Sequence, residues 1–210
     1  MMMTAKVTPV EPGRVVSLPG RPFGDAELVE GLAAGRAAAA AELHRRFGPR
    51  IDRWVWRLLG ADSEHEDVVQ QVYVNVLTGI GGLKRSSALA GWIDSVTIRT
   101  VHKELRRRRI RRLVTFSSPT IELAVAGRPG DLEAWVPRFY AVCERMRAED
   151  RIVFVLRHVE GLPLEETARA AACSLATAKR RLVRAHEVFL QEAPRDPLLA
   201  RLIEDLRHAE

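Results

Sequence analysis

Cysteine is almost missing from this chain: Cys143 and Cys173 are the only two in 210 residues, and they do not form a CxxC pair. That excludes a disulfide framework and leaves no cysteine-built zinc site. The six histidines and the carboxylates show no HExxH-type spacing, so no metal is expected. No Gly-rich nucleotide loop and no GxSxG occur, which removes two common designs for phosphate handling and nucleophilic catalysis. With no nucleophile, acid/base pair or metal set at useful spacing, the chain reads as a non-enzyme without a cofactor. Long apolar runs are missing too. No stretch of ~18 apolar residues occurs, and Met1 to Pro22 lacks an uninterrupted apolar core of signal-peptide length. The expectation is a cytoplasmic protein with no membrane insertion.

Apolar residues make up 47% of the chain and charged residues 29%, enough to bury a core and to argue against disorder throughout. Lys and Arg outnumber Asp and Glu by 33 to 27, a formal net charge of +6, with a pI near 10.0. Such a balance points to a polyanionic partner or an anionic membrane surface and does not choose between them.

Along the chain the apolar spacing is helical nearly everywhere. Residues 1–22, with Pro9, Pro12 and Pro19, read as a mobile tail. Asp25 can cap a helix through Leu28 and Leu32, Gly35 marks a break, and Ala39, Leu43 and Phe47 follow. Ile51, Trp54, Val55 and Leu58 then repeat up to Gly60, so three helical segments are expected by residue 60. Asp62, Glu64, Glu66 and Asp67 place negative charge at the positive end of the next helix. There Val68, Val69, Val72, Tyr73 and Val76 form an apolar stripe, leaving Gln70, Gln71 and Asn75 on the other side. An exposed Gly-rich connector, Thr78 to Leu89, precedes a long helix from Trp92 to about Arg112. Between Arg99 and Arg112 that helix carries eight Lys or Arg against the single Glu104.

The stretch from Thr115 to Asp131 interrupts periodicity with Ser117, Pro119, Gly127, Pro129 and Gly130. This predicts an all-α protein of two small helical domains, 23–112 and 135–190, joined by a flexible linker over 113–134. The second would hold a stripe through Val136, Phe139, Tyr140, Cys143 and Met146, and another through Ile152, Val153, Leu156 and Val159, with a strand as the weaker rival for 152–156. Residues 191–210 form a C-terminal extension, read as helical through Leu198, Leu199, Leu202, Ile203 and Leu206.

Three features bear on function. Residues 163–186 fit a helix-turn-helix: Pro163 opens a short helix, Cys173 lies in the turn, and Ser174 caps a second helix. Thr177, Lys179, Arg180, Arg181 and Arg184 offer donors outward, while Ala178 and Leu182 can pack back on Ala168 and Leu164. No acidic residue lies between Ser174 and Arg184. The blander alternative is a helical hairpin with a solvated basic face. The second feature is the run Arg106 to Arg109, which could be a solubilising face or an address signal. Beside an exposed polar loop it also suits a single strand, whose backbone needs cations and whose bases need stacking faces. Trp92 is either such a face or core. The third is the polar face Gln70, Gln71 and Asn75, which reads as a docking surface or a plain solvated one.

The order of these features resembles the extracytoplasmic-function type of bacterial sigma factor, within the sigma-70 family, over about residues 25–190. The first matching stretch is Glu66-Asp67-Val68-Val69-Gln70-Gln71-Val72-Tyr73-Val74, followed by Ser86-Ser87-Ala88-Leu89, Trp92-Ile93 and the Arg-rich helix end. The second is Arg151-Ile152-Val153-Phe154-Val155-Leu156-Arg157-His158-Val159-Glu160-Gly161-Leu162, with Glu165-Glu166-Thr167-Ala168 and Ser174-Leu175-Ala176-Thr177-Ala178-Lys179-Arg180-Arg181-Leu182.

The resemblance implies that Asp67, Gln70, Gln71 and Asn75 bind core RNA polymerase. It implies that Lys84, Arg85, Ser86, Ser87, Arg99, Lys103, Arg106 and Arg107 hold the melted −10 strand of promoter DNA. Ser174, Thr177, Lys179, Arg180, Arg181 and Arg184 would read the −35 duplex. An anti-sigma protein is a further partner that it allows. Departures from the family pattern are Gln71 in place of an acidic residue, Thr97-Ile98-Arg99-Thr100 in place of an Ala-Arg-Asn segment, Ala176 and Ala178 for Gly and Val, and Arg180 for Ser. The rivals to a promoter-specificity subunit are a stand-alone helix-turn-helix regulator and a protein-interaction module.

Overall fold

A computed structural model describes residues 23–60, 62–115 and 132–201. The tail 1–22, most of the expected linker and residues 202–210, including Leu202, Ile203 and Leu206, lie outside the described residues. What is described is all-α, without a strand. The helices are α1 (Asp25–Ala33), α2 (Ala37–Leu59), α3 (His65–Gly79), α4 (Leu89–Thr115), α5 (Leu132–Cys143), α6 (Ala148–His158), α7 (Leu164–Ala170) and α8 (Leu175–Glu192).

The first domain is α1 to α4. Gly24 holds the cap position of α1, and Asp25, expected to be the cap, is its first helical residue and pairs with Arg46 at 2.6 Å. Gly35 closes the turn to α2 at φ +67°, a conformation glycine adopts without strain. Two helices, not three, precede residue 60, because α2 runs unbroken through Pro49. An interior proline costs about 3 kcal/mol. Leu43, Phe47, Ile51, Val55 and Leu58, all at most 4% exposed, share one face across that site. Burying each is worth about 1.5–3 kcal/mol, so continuity of the face wins. They pack with Leu28, Val72, Val76, Leu89, Ile93 and Val101. The fork of Arg50 on α2 donates to Asp94 on α4, and the Trp54 indole N–H donates to the same carboxylate at 2.9 Å.

The loop expected from Thr78 to Leu89 contains two 3-10 turns, Ile80–Gly82 and Ser86–Ala88. Buried Ile80 and Leu89 pin it to the core. Helix α4 starts at Leu89, three residues earlier than expected, and runs to Thr115.

The second domain is α5 to α8. Residues 152–156 are helical and every one is buried, which resolves the helix-or-strand question physically: α6 is covered on more than one side. Phe154 packs with Cys143, Met146 and Ala185, and Val153 with Ala168 and Ala178. Ile152, Val155 and Leu156 face the other way and join the core of the first domain. The two helical domains therefore lie against one another. The described part of the C-terminal extension folds back on α5: Leu199 and Ala193 pack on Val142, and Asp196 accepts from the Leu198 and Leu199 amides while pairing with Arg138 at 2.6 Å.

Candidate nucleic-acid interface

The helix-turn-helix geometry is built by small residues. Ala168 on α7 and Ala178 on α8 are both buried, with Leu164 and Leu182 packed beside them, as the spacing predicts. The chain turns at Ala172, whose φ is +50°, where a larger or branched residue would be strained. Ser174 then caps α8: its Oγ accepts from the Thr177 amide at 3.2 Å and lies 2.9 Å from the Thr177 hydroxyl. The first turns of α8 consequently stand clear, with Ser174, Lys179 and Arg180 exposed and Thr177 half-buried. Arg180 reaches the Thr177 hydroxyl at 3.4 Å.

Arg181 and Arg184 are placed differently. Arg184 donates both arms of its fork to buried Asp150 on α6, at 2.7 and 3.1 Å, so its charge is already matched by a carboxylate. Arg181 borders a cleft of about 240 Å³ between the domains, together with Ile98, Arg99, His102, Glu149 and Ala170–Ala172.

In the first domain Lys84, Arg85 and Ser87 are exposed, and Ser86 is half-buried. Arg99, Lys103, Arg106 and Arg107 project from α4 into solvent. The Arg106 to Arg109 run divides in a way that sequence spacing does not show. Arg107 is exposed but donates twice to Glu104, at 2.7 and 3.0 Å. Arg108 is nearly buried: it anchors α4 to the start of α3 through Asp62 and Glu64 and pairs with Glu104 one turn back on its own helix. Burial works against its charge, but hydrogen bonds to Asp62 and Glu104 outweigh this and raise its pKa. Arg109 reaches the Met146 carbonyl at 3.4 Å. The Asp62 and Glu64 signal was legible as helix-start charge, yet its pairing partner lay more than forty positions away.

Trp92 is both of the things it could be. It packs on the first core, so close to α3 that a Cβ at Gly79 would stand 3.3 Å from its ring. It also lines a cleft of about 390 Å³ with Asn75, Arg99, Thr100 and Lys103. Asn75 is half-buried and held: it donates to the Thr100 hydroxyl at 2.8 Å and accepts from Gln71 at 3.1 Å. Thr100, absent from the expected site, is thus the residue that fixes Asn75. Asp67, Gln70 and Gln71 are exposed, and on the same helix Val74 and Leu77 are 51% and 42% exposed. An apolar pair among polar neighbours is what a docking face needs, and helical spacing alone does not single these two out.

Two family models match the chain, sigma-70 region 2 over residues 43–111 and sigma-70 region 4 over residues 138–187. The chain belongs to the sigma-70 family. Its relatives make it a sigma factor of the extracytoplasmic-function (ECF) type. The ECF RNA polymerase sigma factor SigM of Mycobacterium tuberculosis is 27% identical over 166 residues, covering 77% of this chain and 80% of SigM. The RNA polymerase sigma-H factor of Pseudomonas aeruginosa is 24% identical over 181 residues, covering 79% and 91%. Among solved structures, CnrH in complex with the cytosolic domain of CnrY aligns with a TM-score of 0.50 at 19% identity, over 86% of this chain and 97% of that one. The sigma factor RpoE in complex with the anti-sigma factor NepR from Bartonella quintana gives 0.52 at 18%, over 72% and 94%. These last two show the same fold. Of the described residues, no helix is long and apolar enough to cross a membrane.

Proposed function

We propose that this sigma factor acts in the cytoplasm by binding core RNA polymerase and directing it to promoters, as a specificity subunit that carries out no chemistry of its own. The observation that carries the reading is the pair of separate basic surfaces, each of a different kind. The start of α8 is a capped, acid-free helix end suited to a duplex groove. The Arg99 and Lys103 side of α4 borders a cleft with a partly open Trp92 ring, which suits unpaired bases. In this division residues 23–112 hold the melted −10 strand and residues 135–190 read the −35 duplex. Exposed Asp67, Gln70 and Gln71, with Val74 and Leu77, form the face offered to polymerase. Lys179 and Arg180 are the foremost −35 contacts, while Arg184 would have to leave Asp150 to contribute. An anti-sigma protein is a further proposed partner, in line with the RpoE and NepR pairing.

The test is reconstitution. Purified chain with core polymerase is expected to form a stable complex and to start transcripts at a subset of genomic promoters. Lys179→Ala with Arg180→Ala should reduce promoter-specific starts without reducing the complex. Failure to form a complex and to initiate at any promoter would overturn the reading, and tight duplex binding by the chain alone would instead favour a stand-alone regulator.

A further inference from the structure

A neutral imidazole carries one N–H and one bare ring nitrogen, and the bare nitrogen can take a proton, a hydrogen bond or a metal ion. Two such rings meet on the surface of the second domain. His158 is the last residue of α6 and His186 lies midway along α8. Their Nε2 atoms stand 2.8 Å apart although the residues are 28 positions apart in the chain. The ring centroids are 4.8 Å apart and the planes cross at 58°.

The pair is supported from below by a buried aromatic floor. Phe154, 4% exposed, has its ring 4.8 Å from His158 and meets His186 edge-on at 5.5 Å, while Phe189 packs on Phe154 at 5.4 Å. Packing therefore sets the direction of both imidazoles. On the outer side His158 is exposed and His186 half-buried, and three apolar side chains lie in the open nearby: Val159, Val183 and Leu190 are 38%, 56% and 57% exposed. Val183 and Leu190 stand three positions before and four after His186, which puts them on its face of α8. Arg157, the cation next to His158, has its guanidinium on the Leu162 carbonyl at 3.0 Å.

A hydrogen bond between two rings at the surface gains little over bonds to water. What two oriented nitrogens gain is chelation. Imidazole–metal bonds run ~2.0–2.1 Å, and at that length nitrogens 2.8 Å apart subtend roughly a right angle at the ion. That is the angle between adjacent ligands in the tetragonal N,O sites of Ni(II) and Cu(II), and it is narrower than the tetrahedral angle of zinc sites. An apolar rim limits the access of solvent to such a pair.

We propose that His158 and His186 form a two-imidazole site for a late first-row divalent ion of the Ni(II) or Cu(II) class, and that the ion staples α6 to α8. Among the described residues no group of three or more His, Cys, Asp or Glu could hold a metal, so the ion's other positions fall to water and its affinity is that of a bidentate chelate. Local spacing of the HExxH kind does not reveal the pair, because packing of two helices creates it. The staple sits on the helix that carries Lys179 and Arg180, but the site does not depend on the promoter reading.

The experiment uses the metal-free full chain without a histidine tag, titrated with nickel(II) chloride by isothermal titration calorimetry. One ion per chain is expected. His158→Ala and His186→Ala should each weaken binding by at least about tenfold, with the metal-free circular dichroism of the wild type, whereas His44→Ala, which removes an exposed ring on α2, should bind as the wild type does. In thermal melts nickel should raise the wild-type Tm, the folded-to-unfolded ratio gaining about a hundredfold at a free nickel concentration of about a hundred times Kd, and neither variant should gain. Since a substitution could disturb the packing around Phe154, the wild type is also read unaltered: paramagnetic nickel should broaden the ring-proton resonances of His158 and His186 before those of the other histidines. Absence of binding, binding that survives either substitution, or broadening centred on another histidine would overturn the site. Binding that leaves the Tm unchanged would overturn the staple.

Discussion

Replacing Arg108 by Met should cost this protein more than any other change in its basic run. The Arg108 side chain is 13% exposed and faces Asp62, Glu64 and Glu104, whose side chains are 16%, 38% and 13% exposed. Met keeps most of the stem's volume and removes the charge, so three carboxylates at the α3 and α4 junction lose a shared cation. Removing one partner of a buried ion pair costs about 3–5 kcal/mol. Here the site is partly solvated, and Arg107 and Arg111 still reach Glu104, so the loss expected is about 2–3 kcal/mol.

For a chain of this size, with one core shared by both domains, that corresponds to a fall in Tm of about 5–10 °C. The pH dependence supplies an independent check. Burial tends to raise the Glu104 pKa, but hydrogen bonds from Arg107 and Arg108 outweigh it and hold the group below its ordinary 4.5. A folded-state pKa below the unfolded value stabilises above the unfolded pKa and ceases to do so as pH falls through the folded one. The gap between wild type and Arg108→Met should therefore be widest near neutral pH and should shrink at pH ~4. Urea titrations followed by far-ultraviolet circular dichroism measure it. A gap below ~0.5 kcal/mol at neutral pH, or one that does not narrow in acid, would refute the ion-pair account.

Ser174→Ala removes the side-chain cap on α8 and should lower stability by about 1 kcal/mol in thermal melts, with Ser174→Asp close to wild type. In the Lys179→Ala and Arg180→Ala double variant, the salt dependence of duplex binding should flatten by about 0.9 in log–log slope for each phosphate no longer neutralised, as titrations at several salt concentrations would show. Burial pushes the Cys143 thiol up to about 12, while Cys173 is half-buried. Alkylation of the native chain at pH ~8, mapped by peptide mass, should mark Cys173 and spare Cys143 until the protein unfolds.

Much of the site was legible locally. Ser174 as a cap, Ala178 and Leu182 facing Ala168 and Leu164, and the acid-free start of α8 all follow from interactions within about twenty residues, where helical spacing dictates which side chains meet. The helix proposed to dock is legible in sequence through its polar residues alone, and Val74 and Leu77 escape notice because apolar residues are ordinarily assigned inward. Asn75 shows the opposite limit: its type and position are apparent, but its orientation depends on Thr100, one helix away.

Sequence periodicity by itself determined the all-α class and pointed to the helix-turn-helix, and the quoted motifs carried the resemblance to the sigma-70 family, because all of these rest on short-range patterns written in consecutive turns. Only the tertiary structure decided which charges are spare. Arg108 and Arg184 look like their neighbours in the sequence, yet each is committed to a carboxylate brought from a distant part of the chain, and the charge of Arg151 is spent on the end of α2. A basic residue's role depends on whether folding brings it an acceptor. That is a matter of long-range packing, which no local pattern of apolar and charged residues encodes.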